Sequence, residues 1–345
     1  LVYSQINGLA QGKSKNYKTV RFKTDRDLAG KIVKVKITGA TPWGLKGKLQ
    51  KRKLIVILGP TSSGKTNLSV KLAKKFNGQI VSADSRQVYR GMDIGSGKIT
   101  KKEMKGISHY LINVASPKRR FSAGQYKKMA LKAIEKIYKE GKVPFVVGGS
   151  AFYIYSLIKE TGLPEVKPDW KLRKRLERLS PQELFEMLKK IDPQRAKKIE
   201  KKNKRRLIRA IEIVKKTGMP VPSLTTAEPS FDVLKIGISR TQKELEKRIK
   251  KRLKERLRKG MVAEVKRLRQ SGLSWPRLES FGLEYKYVAQ FLQKKITKEE
   301  MIAKIQKASI ELVKHQMNWF KKDTTIHWII SQSQAERLIK DFLTR

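Results

Sequence analysis

The stretch "KLIVILGPTSSGKTNLSVKLAKKF" (Lys53–Phe76) leaves this chain few folds to choose from. Lys53–Gly59 is a continuous apolar run, the mark of a strand buried on both faces of a parallel sheet. Gly59–Thr66 fits the pattern G-x-x-x-x-G-K-[ST] at every fixed position. Thr66–Phe76 reads as a helix. Strand, glycine-rich turn and helix N-terminus in that order make a phosphate cradle. The glycines let backbone N–H groups approach phosphate oxygens, and the helix adds its N-terminal dipole. The candidate ligands are Gly59, Pro60, Thr61, Ser62, Ser63, Gly64, Lys65 and Thr66. Lys65 serves as a point charge, and the Thr66 hydroxyl is placed to hold Mg²⁺. Such a loop recognises a diphosphate. It does not specify what the diphosphate is attached to.

Further strands are predicted at Gly78–Ser85, Val143–Gly149 and Val233–Ser239, with an amphipathic helix over Ser122–Lys142, capped by Ser122 and closed by Gly141. Strands alternating with helices predict the α/β class: a doubly wound parallel sheet. Between about Pro164 and Pro229 the strands stop and the chain is helical, charged and punctuated by proline. The expected organisation is therefore a core in two parts, 51–163 and 230–345, around a helical insertion, 164–229. In Thr241–Gly272, Leu245, Ile249, Leu253, Leu257, Met261 and Val265 recur every four residues, so one face packs. Arg248, Arg252 and Arg256 recur on a neighbouring face.

Residues 1–50 read as all-β. "KTVRFKT" (Lys18–Thr24) and "KIVKVKIT" (Lys31–Thr38) alternate apolar with basic residues, and "GLKGKL" (Gly44–Leu49) follows. A small barrel with a basic face fits. Charge points the same way: 81 Lys and Arg face 30 Asp and Glu, a formal net charge of +51. A polyanionic partner, nucleic acid before an anionic membrane surface, is the natural inference, although a lysine-biased proteome would inflate the number. No apolar run is long enough to span a bilayer. The chain has no Cys, which excludes disulfides and Cys-ligated metals and suits a reducing cytoplasm. It opens on Leu1 rather than Met, which leaves room for a preceding segment.

Four stretches carry chemistry. An ATP-hydrolysing P-loop enzyme usually adds an apolar strand ending in Asp, but "VPFVVGG" (Val143–Gly149) ends in glycines. "QIVSAD" ends in Asp84, which reads better as a base aimed at a nucleophile than as a metal ligand, the alternative being a helix cap with Ser85. "SADSRQVYRGMDIGSGK" (Ser82–Lys98) then offers polar, aromatic and glycine residues for a pocket around a base. In "GGSAFYIYSL" (Gly148–Leu157) the glycines permit close approach, and Ser150 supplies a hydroxyl. "NKRRLIRAIEIVKKTG" (Asn203–Gly218) places Arg205, Arg206 and Arg209 on a helix, for phosphate or base contacts or as a solvated basic face. In "KHQMNWFKKD" (Lys314–Asp323), Trp319 reads as core. His109, His315 and His327 show no metal-ligand spacing.

Together "GPTSSGKT", "DSRQVYRGMDIG", "VGGSAFYI", "NKRRLIRAIEIVKKTG", "RIKKRLKERLRKGMVAEVKRL" and "HQMNWF" resemble the tRNA dimethylallyltransferase family, from about Arg52 to Phe342. The resemblance implies transfer of a dimethylallyl group from its diphosphate to N6 of the adenosine 3′-adjacent to the anticodon. It implies Asp84 as general base, Thr61 near the bridging oxygen, and Lys65 and Mg²⁺ on the leaving diphosphate. It also implies tRNA contacts from Asp84, Ser85, Arg86, Gln87, Ser150, Arg205, Arg206 and Arg209, with Arg248 helping at the diphosphate. The expected partners are the tRNA anticodon stem-loop and dimethylallyl diphosphate, for a monomeric, cytoplasmic enzyme. Three places depart from the family pattern: "GGSAFY" for G-G-T-G-L-Y, "FGLEYKYV" (Phe281–Val288) for the G-Y-K-E region, and Lys314-His315-Gln316 for Lys-Arg-Gln. Residues 1–50 resemble a TRAM domain, on "GKSKNYKTVRF" (Gly12–Phe22) and "AGKIVKVKITGATPWGLKGKL" (Ala29–Leu49). They look most like the C-terminal end of a radical-SAM tRNA methylthiotransferase, and whether such a part precedes Leu1 stays open. The rivals are a P-loop nucleotide or RNA kinase, a prenyltransferase for free adenine nucleotides, and a non-catalytic RNA-binding protein.

Overall fold

The computed structural model describes residues 1–24, 27–158, 166–222 and 231–345. Two compact units divide the chain: Leu1–Ile158 with Pro229–Arg345, and Lys159–Glu228. The expected insertion boundaries at 164 and 229 lie outside the described residues.

The N-terminal segment holds five strands rather than the three expected: β1 (Val2–Ile6), β2 (Leu9–Lys13), β3 (Thr19–Lys23), β4 (Val35–Thr41) and β5 (Gly44–Leu49). They order β1-β2-β3-β5-β4, with β3 and β5 parallel and the other pairs antiparallel. The hairpin β1–β2 turns at Asn7-Gly8, both at positive φ (48° and 77°), the left-handed pair that a tight two-residue turn requires. Lys31–Lys34, expected as strand, precedes β4 instead and serves the sheet's free edge. Val2 N–H donates to Lys31 O (3.0 Å), and Gly30 N–H donates to Val2 O (2.9 Å). Val2, Ala10, Val20, Phe22 and Leu28 form a small core of their own.

The core begins with β6 (Arg52–Leu58), α1 (Lys65–Lys75), β7 (Gly78–Ser82), α2 (Lys101–Met104), β8 (His109–Tyr110), α3 (Ala123–Lys139), β9 (Val143–Gly148) and α4 (Ala151–Ile158). On α3 the Ser122 hydroxyl accepts from Gln125 N–H in a capping box, and Gly141 sits at φ 67° just past the end. The second unit contains α5 (Trp170–Leu176), α6 (Pro181–Ile191), α7 (Pro193–Lys198) and α8 (Lys204–Thr217), packed on Leu184, Leu188, Leu207 and Ile211. The core then resumes with β10 (Phe231–Ile238), α9 (Gln242–Arg258), α10 (Met261–Gln270), α11 (Trp275–Glu279), α12 (Leu283–Leu292), α13 (Lys298–Phe320), β11 (Ile326–Ile329) and α14 (Gln332–Thr344).

The core sheet is parallel throughout, ordered β11-β10-β6-β9-β7-β8. It has six strands rather than the four expected. The added β8 is two residues long and β11 is four, both at edges, too short to carry a periodicity. Along β6, Leu54, Val56 and Leu58 enter the core on one face, and Ile55 and Ile57 enter the core on the other. That alternation is why the strand reads as unbroken apolar sequence, and each such side chain contributes about 1.5–3 kcal/mol by burial. β7 and β9 lie to one side of β6 and β10 to the other, so the chain reverses direction of winding at β6. Ligands bind at such switch points, outside the carboxyl ends of the strands. The apolar stripe over Thr241–Gly272 is kept across a break: α9 stops at Arg258 and Gly260 (φ 92°) starts α10. Among the described residues no helix is long and apolar enough to cross a membrane.

Candidate active site

The glycine-rich loop leaves the carboxyl end of β6. Gly59 (φ 146°), Ser62 (φ 63°) and Gly64 (φ 98°) adopt the backbone region that glycine favours, which curls the turn over the α1 N-terminus. Lys65 Nζ folds back to donate to Gly59 O (2.9 Å) and Pro60 O (2.6 Å). Burial pulls its pKa down to about 7; Asp84 opposes the shift and Arg252 adds to it. Lys65, Asp84 and Arg252 therefore share one electrostatic neighbourhood. Thr66 stands exposed on the first turn of α1.

Asp84 follows the carboxyl end of β7. Its Oδ1 accepts from Arg86 N–H (2.8 Å) and Gln87 N–H (3.3 Å), so the cap geometry weighed as an alternative exists, and one carboxylate oxygen serves it. The other is not used by that turn. The β9 end approaches closely because it carries glycine: a Cβ on Gly148 would sit 2.1 Å from Ala83 O. Ser150 then ties this turn to the residues after β7. Its N–H donates to Ala83 O (3.2 Å), and its Oγ accepts from Ser85 N–H (3.1 Å). Asp84, Ser85, Arg86, Gln87 and Ser150 are thus one half-buried cluster beside the loop. No carboxylate ends β9, which closes on Gly148 and is followed by Gly149.

The structure adds residues to which no site role was given in sequence. Arg252 Nη1 donates to Ser62 Oγ in the loop (3.1 Å). Burial and the neighbouring Arg256 cation lower its pKa to about 10, against the raising effect of Glu284 and Asp84. Arg256 donates to Glu284 and to Gly95 O. Both guanidiniums press on Gly97, where a Cβ would lie 2.0 Å from Arg256 Nη2. Arg248 approaches the loop itself, 3.7 Å from where a Gly64 Cβ would stand. The four-residue spacing of these arginines signalled a shared face, but not which face met the loop.

The "DIG" turn is held by Glu264, which is buried (3% exposed). It accepts from the N–H groups of Asp93 (2.8 Å), Ile94 (2.6 Å) and Gly95 (3.0 Å), and from Tyr285 Oη (2.9 Å). This assigns work to the divergent "FGLEYKYV" segment: Glu284 holds Arg256, and Tyr285 holds Glu264. Gln316 on α13 bridges two loops, taking Thr61 N–H (2.8 Å) and giving to Gly149 O (2.8 Å). Trp319, expected in the core, is 48% exposed and stacks on Tyr155. It lies on the solvent side of α13, whose buried residue at that end is Phe320.

The arginines of α8 lie in the second unit and differ from one another. Arg205 and Arg206 are exposed, Arg206 within 3.4 Å of Glu200. Arg209 donates to Glu212 and to Val166 O (3.0 Å). Glu212 is fully buried and also takes Arg173 through both oxygens (2.8 and 2.7 Å) and Asp169 N–H (2.6 Å). Burial raises its pKa, but those donors outweigh it and the net shift is downward. Among the described residues no cluster of three or more His, Asp or Glu could hold a metal.

Fold and site define a class: a P-loop protein that sets its glycine-rich loop beside a carboxylate at the end of β7, Asp84, and lacks a carboxylate at the end of β9, the next strand to β6 in the sheet. The family model described as IPP transferase matches residues 87–323, and the chain belongs to that family. It is 39% identical over 285 residues to the tRNA dimethylallyltransferase of Thermoanaerobacter sp., covering 80% of this chain and 90% of that one. The structure of the tRNA isopentenylpyrophosphate transferase of Bacillus halodurans superposes with a TM-score of 0.64 at 34% identity, covering 85% of this chain and 96% of that one. A eukaryotic dimethylallyltransferase captured acting on tRNA superposes with a TM-score of 0.71 at 28% identity, covering 85% and 80%.

Proposed function

We propose that this chain transfers a dimethylallyl group from dimethylallyl diphosphate to N6 of the adenosine 3′-adjacent to the anticodon of tRNA, as a monomeric cytoplasmic enzyme. The observation that carries the reading is that Arg252 bonds the loop at Ser62, Lys65 folds within that loop, and Asp84 is fixed on the turn after β7 in the same electrostatic neighbourhood. A diphosphate in the loop would place its departing oxygen beside two cations and its alkyl group toward a carboxylate.

In the transfer, N6 attacks the allylic carbon. The N–C bond forms as the C–O bond breaks, the C–O electron pair leaves on the diphosphate, and the N6 proton passes to Asp84. Charge develops on the diphosphate, so loop N–H groups, Lys65, Arg248 and Arg252 act where stabilisation counts most. By the family resemblance, the Thr61 hydroxyl would lie near the bridging oxygen. The exocyclic amine is a weak nucleophile, so holding it in place matters: Asp84 is fixed by its own turn, and Ser150 fixes the Asp84–Gln87 segment. The adenosine leaves the anticodon-loop stack to reach this cluster. Mg²⁺ fits the hard oxygen of Thr66, which would hold it together with the diphosphate and water; bound there, it would neutralise leaving-group charge. Arg205 and Arg206 are offered as tRNA backbone contacts, with Arg209 behind them.

For residues 1–50 the reading is a TRAM-like module that raises tRNA affinity without choosing the base. Tyr17 and Trp43 stand exposed there among lysines, suitable for stacking on unpaired bases. Removing this segment should weaken tRNA binding and leave the modified position unchanged; a shifted position sinks that role.

The test of the main reading is incubation with Mg²⁺, dimethylallyl diphosphate and unmodified tRNA, then digestion and mass analysis for N6-prenyl adenosine. Asp84→Asn should abolish the product while tRNA binding persists. Nucleotide turnover without prenylation would make the protein a kinase, and product on free adenine nucleotides alone would make it a prenyltransferase of small substrates.

A further inference from the structure

Gln316 joins the two halves of the site. Its side chain reaches from α13 between the diphosphate loop and the turn after β9, accepting from Thr61 N–H and donating to Gly149 O, each at 2.8 Å. Turning the amide over would set an NH₂ against an N–H and an oxygen against a carbonyl, so one orientation satisfies both ends. The bridge as built leaves no room for a side chain at Gly149. A Cβ there would fall 2.5 Å from Gln316 Nε2.

Both anchors matter to chemistry. Thr61 belongs to the donor loop. Gly149 precedes Ser150, whose Oγ holds Ser85 N–H beside Asp84. A continuous set of short bonds therefore runs from the donor loop through Gln316 and the Gly149–Ser150 turn to the segment carrying the base. Because Thr61 N–H is already engaged, an entering diphosphate has to use the loop's other N–H groups. Thr61 is thereby held in place by α13 rather than by the ligand.

We propose that Gln316 is a positioning residue that fixes the spacing between the diphosphate loop and the acceptor turn, a role that rests on the transfer reaction proposed above. Its contribution is to alignment rather than to affinity. When the spacing loosens, the allylic carbon is no longer lined up with N6. The C–O bond can still break, with water forming the new bond to carbon and releasing dimethylallyl alcohol, diphosphate and a proton. Transfer falls and hydrolysis takes a larger share of the donor consumed.

The experiment uses the full chain, dimethylallyl diphosphate, Mg²⁺ and unmodified tRNA. Gln316→Met keeps the volume and removes both hydrogen bonds. Gln316→Glu keeps an acceptor for Thr61 N–H and loses the donor to Gly149. Expected for Gln316→Met is a single-turnover transfer rate lower by about 10²-fold, the scale of a ~1 Å misplacement. For the Met variant the apparent affinities for donor and tRNA should stay as in the parent, with a raised ratio of dimethylallyl alcohol to prenylated tRNA; the Glu variant should in addition bind the diphosphate donor more weakly, because its carboxylate faces the loop. An inactive parent protein would sink the transfer reading itself. An active parent with a Gln316→Met variant of equal rate and equal product ratio would overturn the positioning role alone. So would joint loss of binding, transfer and melting temperature, which would make Gln316 a structural residue.

Discussion

Two arginine clusters, one in each compact unit, show how the same residue type takes opposite roles. On α8, Arg209 and the α5 residue Arg173 converge on Glu212, whose two oxygens accept from both guanidiniums and from Asp169 N–H. The carboxylate is fully buried and fully bonded, so the cluster is closed. On α9, Arg252 and Arg256 stand side by side with Glu284 engaging Arg256, while Arg252 gives to the hydroxyl of Ser62. Burial and like-charge repulsion pull Arg252 down to about 10. That cluster sets a guanidinium against the glycine-rich loop without sealing it under a buried carboxylate. A closed cluster stabilises a fold; the open one is where the proposed diphosphate would find its cations.

The sharpest way to break this contrast is to remove the open cation. Arg252→Met should lower the prenyl-transfer rate by about 10²–10³-fold, the scale of losing one preorganised donor to developing charge. It should leave the melting temperature unchanged or raised, because it relieves Arg256. A rate near that of the parent in a single-turnover assay would remove Arg252 from the diphosphate site.

The mirror experiment is Arg209→Met, which should cost stability. Glu212 keeps Arg173, so the loss is that of charge-assisted hydrogen bonds at a buried group, about 1.5–3 kcal/mol in urea unfolding. Adding Glu212→Met should recover part of it, since a buried carboxylate with fewer partners is the costly species. If Arg209→Met leaves the unfolding midpoint in place and weakens tRNA binding alone, the α8 cluster is open as well.

Lys65 tests the cradle by pH. In the free protein its pKa is about 7, against 10.5 for an ordinary lysine, because burial outweighs the attraction of Asp84. A bound diphosphate favours the charged form and restores the proton. Binding above pH 7 should therefore take up a proton, and affinity should fall as pH rises, by up to about tenfold per unit. The sign for folding is the reverse: between about 7 and 10.5 the unfolded chain holds the proton that the free folded protein has shed, so stability rises with pH across that window. Calorimetry of diphosphate binding in buffers of different ionisation enthalpy reads the uptake. It should vanish in Lys65→Met, and uptake that persists in that variant belongs to the diphosphate or to another group.

How much of this was legible in sequence follows from how local each signal is. The β6–loop–α1 unit carries its periodicity, its glycines and its lysine within one short stretch, and the structure places it as read. Asn7-Gly8 was an equally local hairpin signal that went unread. β8 and β11 offered too few residues for a pattern, and their strand character comes from the neighbours they pair with. Trp319, expected in the core rather than as a stacking platform, stands one residue before the buried Phe320; that step rotates it about 100° around the helix, toward solvent. The partners of the arginines were out of reach. Arg206 and Arg209 are three apart on a basic helix, and nothing in that spacing says that a carboxylate at Glu212 is sealed beneath one of them. Gln316 and Glu264 act on backbone groups far off in sequence, and such contacts leave no periodic trace.

The smallest expected effect sharpens the contrast within α8 itself. Arg205 is exposed on the same helix that carries Arg209 into the closed cluster. Arg205→Ala should shift stability by no more than about 0.5 kcal/mol, as exposed substitutions do. If Arg205 contacts a tRNA phosphate, the variant should bind tRNA more weakly, with the slope of log affinity against log salt reduced by about 0.7–0.9, the share of one phosphate neutralised. The modified position should not move, because a backbone contact carries no sequence information. An unchanged salt slope would leave Arg205 as a solvated charge. A changed modification site would mean that α8 reads bases, and its exposed arginines would then be specificity residues rather than anchors.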